Sequence, residues 1–234
     1  MSKRILDIVV ALAMLIPLLP LLVIVALILR FTGERHVFYV QPRRGKGGKM
    51  FGLIKFATML ADSVNMGTKD ITVRNDPRVL PFGRLLRKTK INELTQLLNV
   101  LKGDMSIVGW RPLLEAGLNF YPEEVRQELF KIKPGLTGIG SIVFRDEEQI
   151  LHLSEKKNRE CYRDDIMPYK GELETWYARN QSIWLDIKLI LATAIAVLLP
   201  TSNFYLKLFP TLPRLPESSE IARIRKLQPS NSAT

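Results

Sequence analysis

From Ile8 to Leu29 the chain reads "IVVALAMLIPLLPLLVIVALIL", an unbroken apolar run bounded by Asp7 and Arg30. A run of about 20 apolar residues is enough to cross the hydrocarbon core of a bilayer as a helix. No small-residue cleavage site follows, since the next residues are "RFTGERHVFY", so the run is a retained membrane element rather than a signal peptide. Lys3 and Arg4 precede it, and Arg30, Arg35, Arg43 and Arg44 follow it. Basic flanks prefer the cytoplasmic side, so both ends ask for the same side. Pro17 and Pro20 lie inside the run, and each removes a backbone donor and displaces a carbonyl one turn back. The pattern predicts a helix broken at Pro17 and Pro20 that enters the bilayer, bends and leaves by the face it entered. A kinked spanning helix is the alternative. The anchoring unit is residues 1–35.

Beyond the anchor the period changes. "HVFYV" (36–40) alternates as a short strand, "QPRRGKGGK" (41–49) reads as a basic turn, and "MFGLIKFATM" (50–59) as a second strand. Arg84, Arg87 and Lys88 fall at helical spacing after Asp76-Pro77. From Ile91 to Leu101 apolar residues at 91, 94, 97, 98 and 101 keep a helical period, which Gly103 stops. "KPGLTGIGS" (133–141) reads as a glycine-rich turn whose amides could face an anion. "SIWLDIKLILATAIAVLLP" (182–200) is apolar but interrupted by Asp186 and Lys188, and its uncharged part is too short to span. An interfacial or core helix is expected there, with "FYLKLFPTLPRLP" (204–216) dipping into a surface. The polar tail, 217–234, is expected to be disordered. The fold class is therefore α+β, mostly helical with a small β component, on a monotopic anchor, and residues 36–216 form the body with its C-terminal interfacial helices.

Charge narrows the partners. Lys and Arg number 34 against 23 Asp and Glu, a formal +11, which favours phosphates or an acidic membrane surface. A nucleic-acid partner is not expected, because the chain has a membrane helix and no nucleic-acid motif. The one cysteine, Cys161, cannot form an internal disulfide, in keeping with a reducing compartment.

Several short motifs then fall in one order: Asp7, Leu19-Pro20, Gln41 with Arg43 and Gly45, Lys55-Phe56-Ala57-Thr58-Met59, and Asp76-Pro77-Arg78. Asn92-Glu93-Leu94-Thr95-Gln96-Leu97, Lys102 to Ser106, Gly109-Trp110-Arg111-Pro112 and Lys133 to Gly138 complete the series. In this order the chain resembles the bacterial sugar transferases known as monotopic polyprenyl-phosphate phosphoglycosyl transferases, over roughly Asp7 to Leu199. The resemblance implies transfer of a phospho-sugar from a UDP-sugar to polyprenyl phosphate, with release of UMP and with Mg²⁺. It also implies the cytosolic face of the bacterial inner membrane, membrane lipid as a partner, and downstream glycosyltransferases that extend the product into a surface glycan. Carried over residue by residue, it makes Asn92 and Glu93 the catalytic positions and Glu93 and Asp104 the metal ligands. Lys55, Arg78, Arg87, Arg111, Pro112 and Arg145 become the phosphate-binding set.

The departures from the family pattern raise the central question. Asn92 stands where the family has its nucleophilic aspartate, and a neutral amide is a poor nucleophile. Ala57 stands where a cation is usual, Thr95 and Trp110 replace prolines, Leu19 replaces a serine, and Glu174 stands in place of an aspartate. Three answers stay open at this level. Glu93 serves as nucleophile, or the lipid phosphate attacks directly, or the chain is a silenced relative that acts as a membrane-bound scaffold.

Overall fold

Helix α1 (Ser2–Phe31) carries two apolar stripes, and the rest of the molecule is arranged by one of them. Asp7, Ala11, Leu22, Val25 and Leu29 are buried at helical spacing, with Met14, Leu15 and Leu18 packed between them. One face therefore lies on the body along nearly its whole length. The opposite stripe, Ile5, Val9, Leu12, Ile16, Leu19, Val23 and Leu27, is exposed. A helix that is apolar all round needs protein on one side and another apolar medium on the other. The structure is a computed structural model, and it describes residues 2–66, 76–199, 204–217 and 219–227. In it α1 is one continuous helix with Pro17 and Pro20 inside, where the pattern predicted a break. Both prolines face away from the body, so the lost backbone bonds fall on the outer side and the packed stripe carries the helix through.

The strands β1 (Phe38–Arg44) and β2 (Met50–Phe56) form an antiparallel hairpin, with Tyr39 opposite Lys55 and Arg43 opposite Phe51. The turn is shorter than expected. Gln41 to Arg44 continue the strand, and only Gly45 to Lys49 turn. Helix α2 (Pro81–Lys88) follows, begun by a proline at its first turn. The helix expected over 91–101 is divided into a 3₁₀ helix, Ile91–Gln96, and α3 (Leu97–Lys102), which Gly103 ends in the left-handed conformation.

Strand β3 (Ser106–Val108) leads through α4 (Glu115–Leu118) and α5 (Glu123–Phe130) to β4 (Gly135–Thr137). The glycine-rich stretch expected to be a turn is thus a strand, paired parallel with β3. Its glycines are there for contact: a Cβ on Gly135 would lie 2.1 Å from the Gly109 nitrogen, and one on Gly109 would lie 2.4 Å from the Lys133 carbonyl oxygen. Helices α6 (Ile139–Val143), α7 (Glu147–Leu153) and α8 (Asn158–Cys161) come next. A π-helical turn, Tyr162–Ile166, joins α8 to α9 (Met167–Asn180), followed by α10 (Ile183–Leu198) and α11 (Tyr205–Leu208). Helix α10 buries Asp186, Leu189 and Ala192 and exposes Trp184, Leu191, Val197 and Leu198.

The tail departs from expectation. Glu220–Leu227 form a helix, α12, with Ile221 and Ile224 buried in the main core. Those two isoleucines, three apart, supply enough apolar burial to order a segment whose composition is otherwise polar. Residues 228–234 of the expected tail lie outside the described residues. The main apolar cluster runs from Ala11 through Leu97, Ile107, Ile139 and Leu173 to Ile224, so α1 and α12 share one core with the body.

Candidate active site

The edge of β2 is completed by side chains rather than by another strand. Asn99, fully buried, accepts from the Ile54 amide at 2.9 Å and donates to the Gly52 carbonyl at 2.7 Å. Thr95 donates to the Ile54 carbonyl at 3.0 Å. An unpaired strand edge would otherwise leave buried backbone groups unsatisfied. These bonds fix the 3₁₀ helix against the hairpin and bring Glu93 to the face that carries Lys55, Tyr39 and Arg43.

Arg111 arrives from the other side, on the loop after β3. Its predecessor Trp110 is fully buried among Leu118, Tyr121, Leu129 and Met167, and Pro112 behind it is buried too. The Arg111 guanidinium meets the Glu93 carboxylate at 2.9 and 3.4 Å, a two-point ion pair of fixed orientation. Burial alone works against a Glu93 charge, but Arg111 and then Lys55 outweigh it and hold the carboxyl down at about 2. Burial pushes the Lys55 ammonium down to about 8; Glu93 resists this, while Arg111, Arg43 and Arg87 add to it. Arg43 is lowered by burial and by Arg111 to about 10, and its guanidinium donates to Gln41 at 2.6 Å. Lys90 precedes the 3₁₀ helix at φ 60, a strained setting for a lysine, and its charge also bears on Glu93. Around one ionised carboxylate the site thus gathers Lys55, Arg43, Arg87, Arg111 and Lys90.

Asn92 does not share this opening. Its side chain is buried, and its Oδ1 has no hydrogen-bond partner. Ala57, where a further cation was expected, is buried with its amide on the Val37 carbonyl. Arg78 is committed to structure: it pairs with Asp76 at 2.7 Å and donates to the Ser63 and Met66 carbonyls. Asp104 sits past the far end of α3, paired with Lys102 at 3.1 Å and accepting from Asn99. No group of three or more His, Cys, Asp and Glu suited to a metal occurs among the described residues. Glu93 on its own remains a suitable hard-oxygen ligand for Mg²⁺, which binds through one or two carboxylates and shares substrate phosphate oxygens.

Behind Arg111 lies a largely buried polar layer, of which the sequence pointed to Arg145 and Glu174 but not to Glu147 or Lys170. Lys170, which is buried, pairs with the half-buried Glu147 at 2.6 Å, and Glu147 and Tyr162 both bear on the Arg111 charge. Arg145 is two residues before Glu147, and its Nη1 is buried without a hydrogen-bond partner. Glu174 accepts from the Arg111 amide at 3.4 Å, and its Oε2 has no hydrogen-bond partner. Burial pushes the Glu174 carboxyl up to about 7, against Lys170 and Arg111. Two surface grooves lie elsewhere, along α9 and α10 near Trp176, and none of the cationic cluster lines them.

Comparison with known proteins agrees with this chemistry. A family profile described as bacterial sugar transferase matches residues 1–200. The chain is 34% identical over 198 residues to an undecaprenyl-phosphate glucose phosphotransferase of Komagataeibacter xylinus, covering 82% of this chain and 35% of that protein. It is 33% identical over 210 residues to an undecaprenyl-phosphate galactose phosphotransferase of Salmonella typhimurium, covering 84% of this chain and 40% of that protein. With the uncharacterized sugar transferase EpsL of Bacillus subtilis it shares 36% over 196 residues, 84% of this chain and 87% of that protein. The chain therefore spans about two fifths or less of the first two relatives and nearly all of the third.

Proposed function

Because the chain belongs to the bacterial sugar transferase family, we propose that it transfers a phospho-sugar from a UDP-sugar to polyprenyl phosphate and releases UMP. The observation that carries this reading is the excess of cations, Lys55, Arg43, Arg87 and Arg111, around the single ionised carboxylate of Glu93. A diphosphate and a phosphate monoester need that much positive charge to be held side by side. Lys55 and Arg87 take the diphosphate, and Arg111 orients Glu93. Mg²⁺, held by Glu93 together with diphosphate oxygens, would offset charge on the departing UMP.

In this reading an oxygen of the lipid phosphate attacks the β-phosphorus of the UDP-sugar. A phosphorus–oxygen bond forms to the lipid and the bond to the UMP oxygen breaks. The attacking phosphate is already ionised and gives up no proton, so the neutral amide of Asn92 is no obstacle. One observation favours a second route: Glu93 is itself ionised and buried, so it can serve as a carboxylate nucleophile and split the transfer in two. The outer stripe of α1 and the exposed apolar residues of α10 support a seat in the cytosolic leaflet of the inner membrane, with α10 as an interfacial helix. Downstream glycosyltransferases then extend the lipid-linked sugar.

UMP release from a panel of UDP-sugars, with undecaprenyl phosphate and Mg²⁺, tests the proposal. Turnover lost in Glu93→Gln supports it. No UMP from any UDP-sugar refutes it and leaves a non-catalytic scaffold. Intact mass after incubation without lipid separates the routes: an adduct mapped to Glu93 indicates the two-step reaction, whereas turnover that needs lipid and leaves no adduct indicates direct attack.

A further inference from the structure

A second cluster of cations lies at the opposite end of α1 from the catalytic one. Leu22, Val25 and Leu29, near the C-terminal end of α1, pack with Phe56, Leu86, Ile91 and Leu94, the neighbours of Lys55 and Glu93. At the N-terminal end, Arg4 donates to the Val100 and Leu101 carbonyls at 2.5 and 2.6 Å, capping α3. This brings Arg4 beside Gly103, where the Arg4 Nη2 and the Lys133 Nζ would each lie 3.6 Å from a Cβ on that glycine. Lys102 adjoins them, 68% exposed, and Lys46 is close enough for its charge to bear on Lys133.

The two acids nearby, Asp104 and Asp7, offset only part of the charge of Arg4, Lys46, Lys102 and Lys133. The Asp104 carboxylate is shared between Lys102 and Asn99. Asp7 is buried and accepts from the Ser106 hydroxyl and the Ile107 amide. Among the described residues Lys133 makes no hydrogen bond through its ammonium, and Arg4 keeps N–H groups beyond the two spent on α3. The position is informative as well. The outward apolar stripe of α1 starts at Ile5, the residue after Arg4, so the cations stand at the N-terminal edge of the apolar surface.

We propose that Arg4, Lys102 and Lys133, with Lys46 beside them, form a binding site for the headgroup phosphate of an anionic phospholipid, separate from the catalytic cluster. The proposal rests on the reading that α1 lies in the membrane. A phosphatidylglycerol phosphate carries a charge that no headgroup ammonium offsets, and it meets three cations with spare donors at the depth where it sits. Zwitterionic phosphatidylcholine offers no such net charge. The lipid then holds down the N-terminal end of α1 while the catalytic cluster holds substrate phosphates at the other.

The test is partition of the full-length protein from dilute detergent into vesicles of phosphatidylcholine, alone or mixed with phosphatidylglycerol. Wild type should bind the mixed vesicles more tightly. The variant Lys102→Gln/Lys133→Gln should lose roughly fivefold of that gain per lysine, with unchanged binding to pure phosphatidylcholine. A control pair of exposed cations on α2, Arg84→Gln/Lys88→Gln, should keep the gain. A double lysine variant that keeps the full gain, or a control that loses as much, overturns the site and leaves the membrane reading intact. Wild type that binds neither vesicle overturns the membrane reading itself. If inorganic phosphate stabilises the detergent-solubilised wild type through the same lysines and phosphatidylglycerol gives no gain, the lipid assignment is wrong.

Discussion

Lys55 is buried among three arginine charges and offset by one glutamate, which leaves its ammonium titrating at about 8. Above that pH, on the proposed reaction, the free protein loses a cation from the place assigned to the diphosphate. The kcat/KM for UDP-sugar should therefore fall as pH rises through about 8, while kcat, read on the substrate-bound enzyme, falls later, because the bound anion restores the lysine's charge. Lys55→Arg should remove the inflection, since a guanidinium stays charged there. An unchanged profile in that variant would take Lys55 out of the diphosphate site. Glu174 titrates in the opposite sense. Its carboxyl is raised by burial to about 7, from 4.5. The folded state thus holds a proton that the unfolded chain has lost, and this contribution to stability is full below about 4.5 and gone above about 7. Denaturant unfolding of wild type against Glu174→Gln, from pH 5 to 8, should show wild-type stability declining relative to the variant and then levelling off. Parallel curves would show that Glu174 ionises normally. Lys55, Glu93 and Arg111 could be picked from the sequence because each sits in a short motif, and Arg87 because it falls at helical spacing beside Arg84 and Lys88. Arg43 also sits in a motif, with Gln41 and Gly45, but its place in the site could not be read, and neither could the Glu147–Lys170 pair. The strand was ended at Val40, which left Arg43 in a turn, and residues 23 apart carry no local pattern.

At the scale of elements, α12 is the piece whose removal tells most. Arg225 donates to the Val143 carbonyl at 2.6 Å, lies 3.6 Å from Asp146, and stacks over the Phe144 ring at 5.8 Å. It thereby pins from outside the loop that carries Arg145 and Glu147 into the buried layer behind Arg111. Arg225→Ala should cost about 1–2 kcal/mol and speed amide exchange over residues 143–147, with KM for UDP-sugar raised. Arg223 is 40% exposed and pairs with Glu155 and Glu220 at the surface, so Arg223→Ala should cost less than about 1 kcal/mol. Equal effects of the two would mean that the loop does not depend on Arg225. The long periodic elements α1, α2 and α10 and the β1–β2 hairpin were readable from pattern alone. The short ones were not. Strands β3 and β4 have three residues each and exist because Gly109 and Gly135 let two backbones touch, a contact between distant segments. Helix α12 is ordered by a core to which it adds only Ile221, Ile224 and Ala222.

At the scale of the whole molecule, topology follows from where the two ends of α1 are tied. Lys3 bonds Asp186 at 2.6 Å, Asp7 accepts from Ser106 and Ile107, and Arg4 holds the end of α3. The other end, through Val25 and Leu29, lies on Phe56 and Leu86 of the same body. A straight helix of 30 residues would be about 45 Å long, more than the hydrocarbon core needs, so length does not forbid spanning. The ties weigh against it, because the N-terminal end would have to leave Asp186, Ser106 and the α3 carbonyls in order to cross. Apolar packing of α1 counts for less here, since lipid is as good a neighbour as leucine. The polar ties and the basic flank are what the proposed topology rests on. Single cysteines at Ser2 and at Gly47 should thus both be shielded from an impermeant thiol reagent in intact cells and both react in inverted membranes. Background is low, because the native Cys161 is buried. Lys3→Ala/Arg4→Ala removes the flank charge and two of the ties, leaving only that of Asp7, and should let Ser2 become labelled from outside while Gly47 stays protected. Pro20→Leu should add to that effect by completing the helix backbone. If Ser2 is labelled from outside in the wild type, α1 spans the membrane and the ties seen at its N-terminal end do not hold in the bilayer.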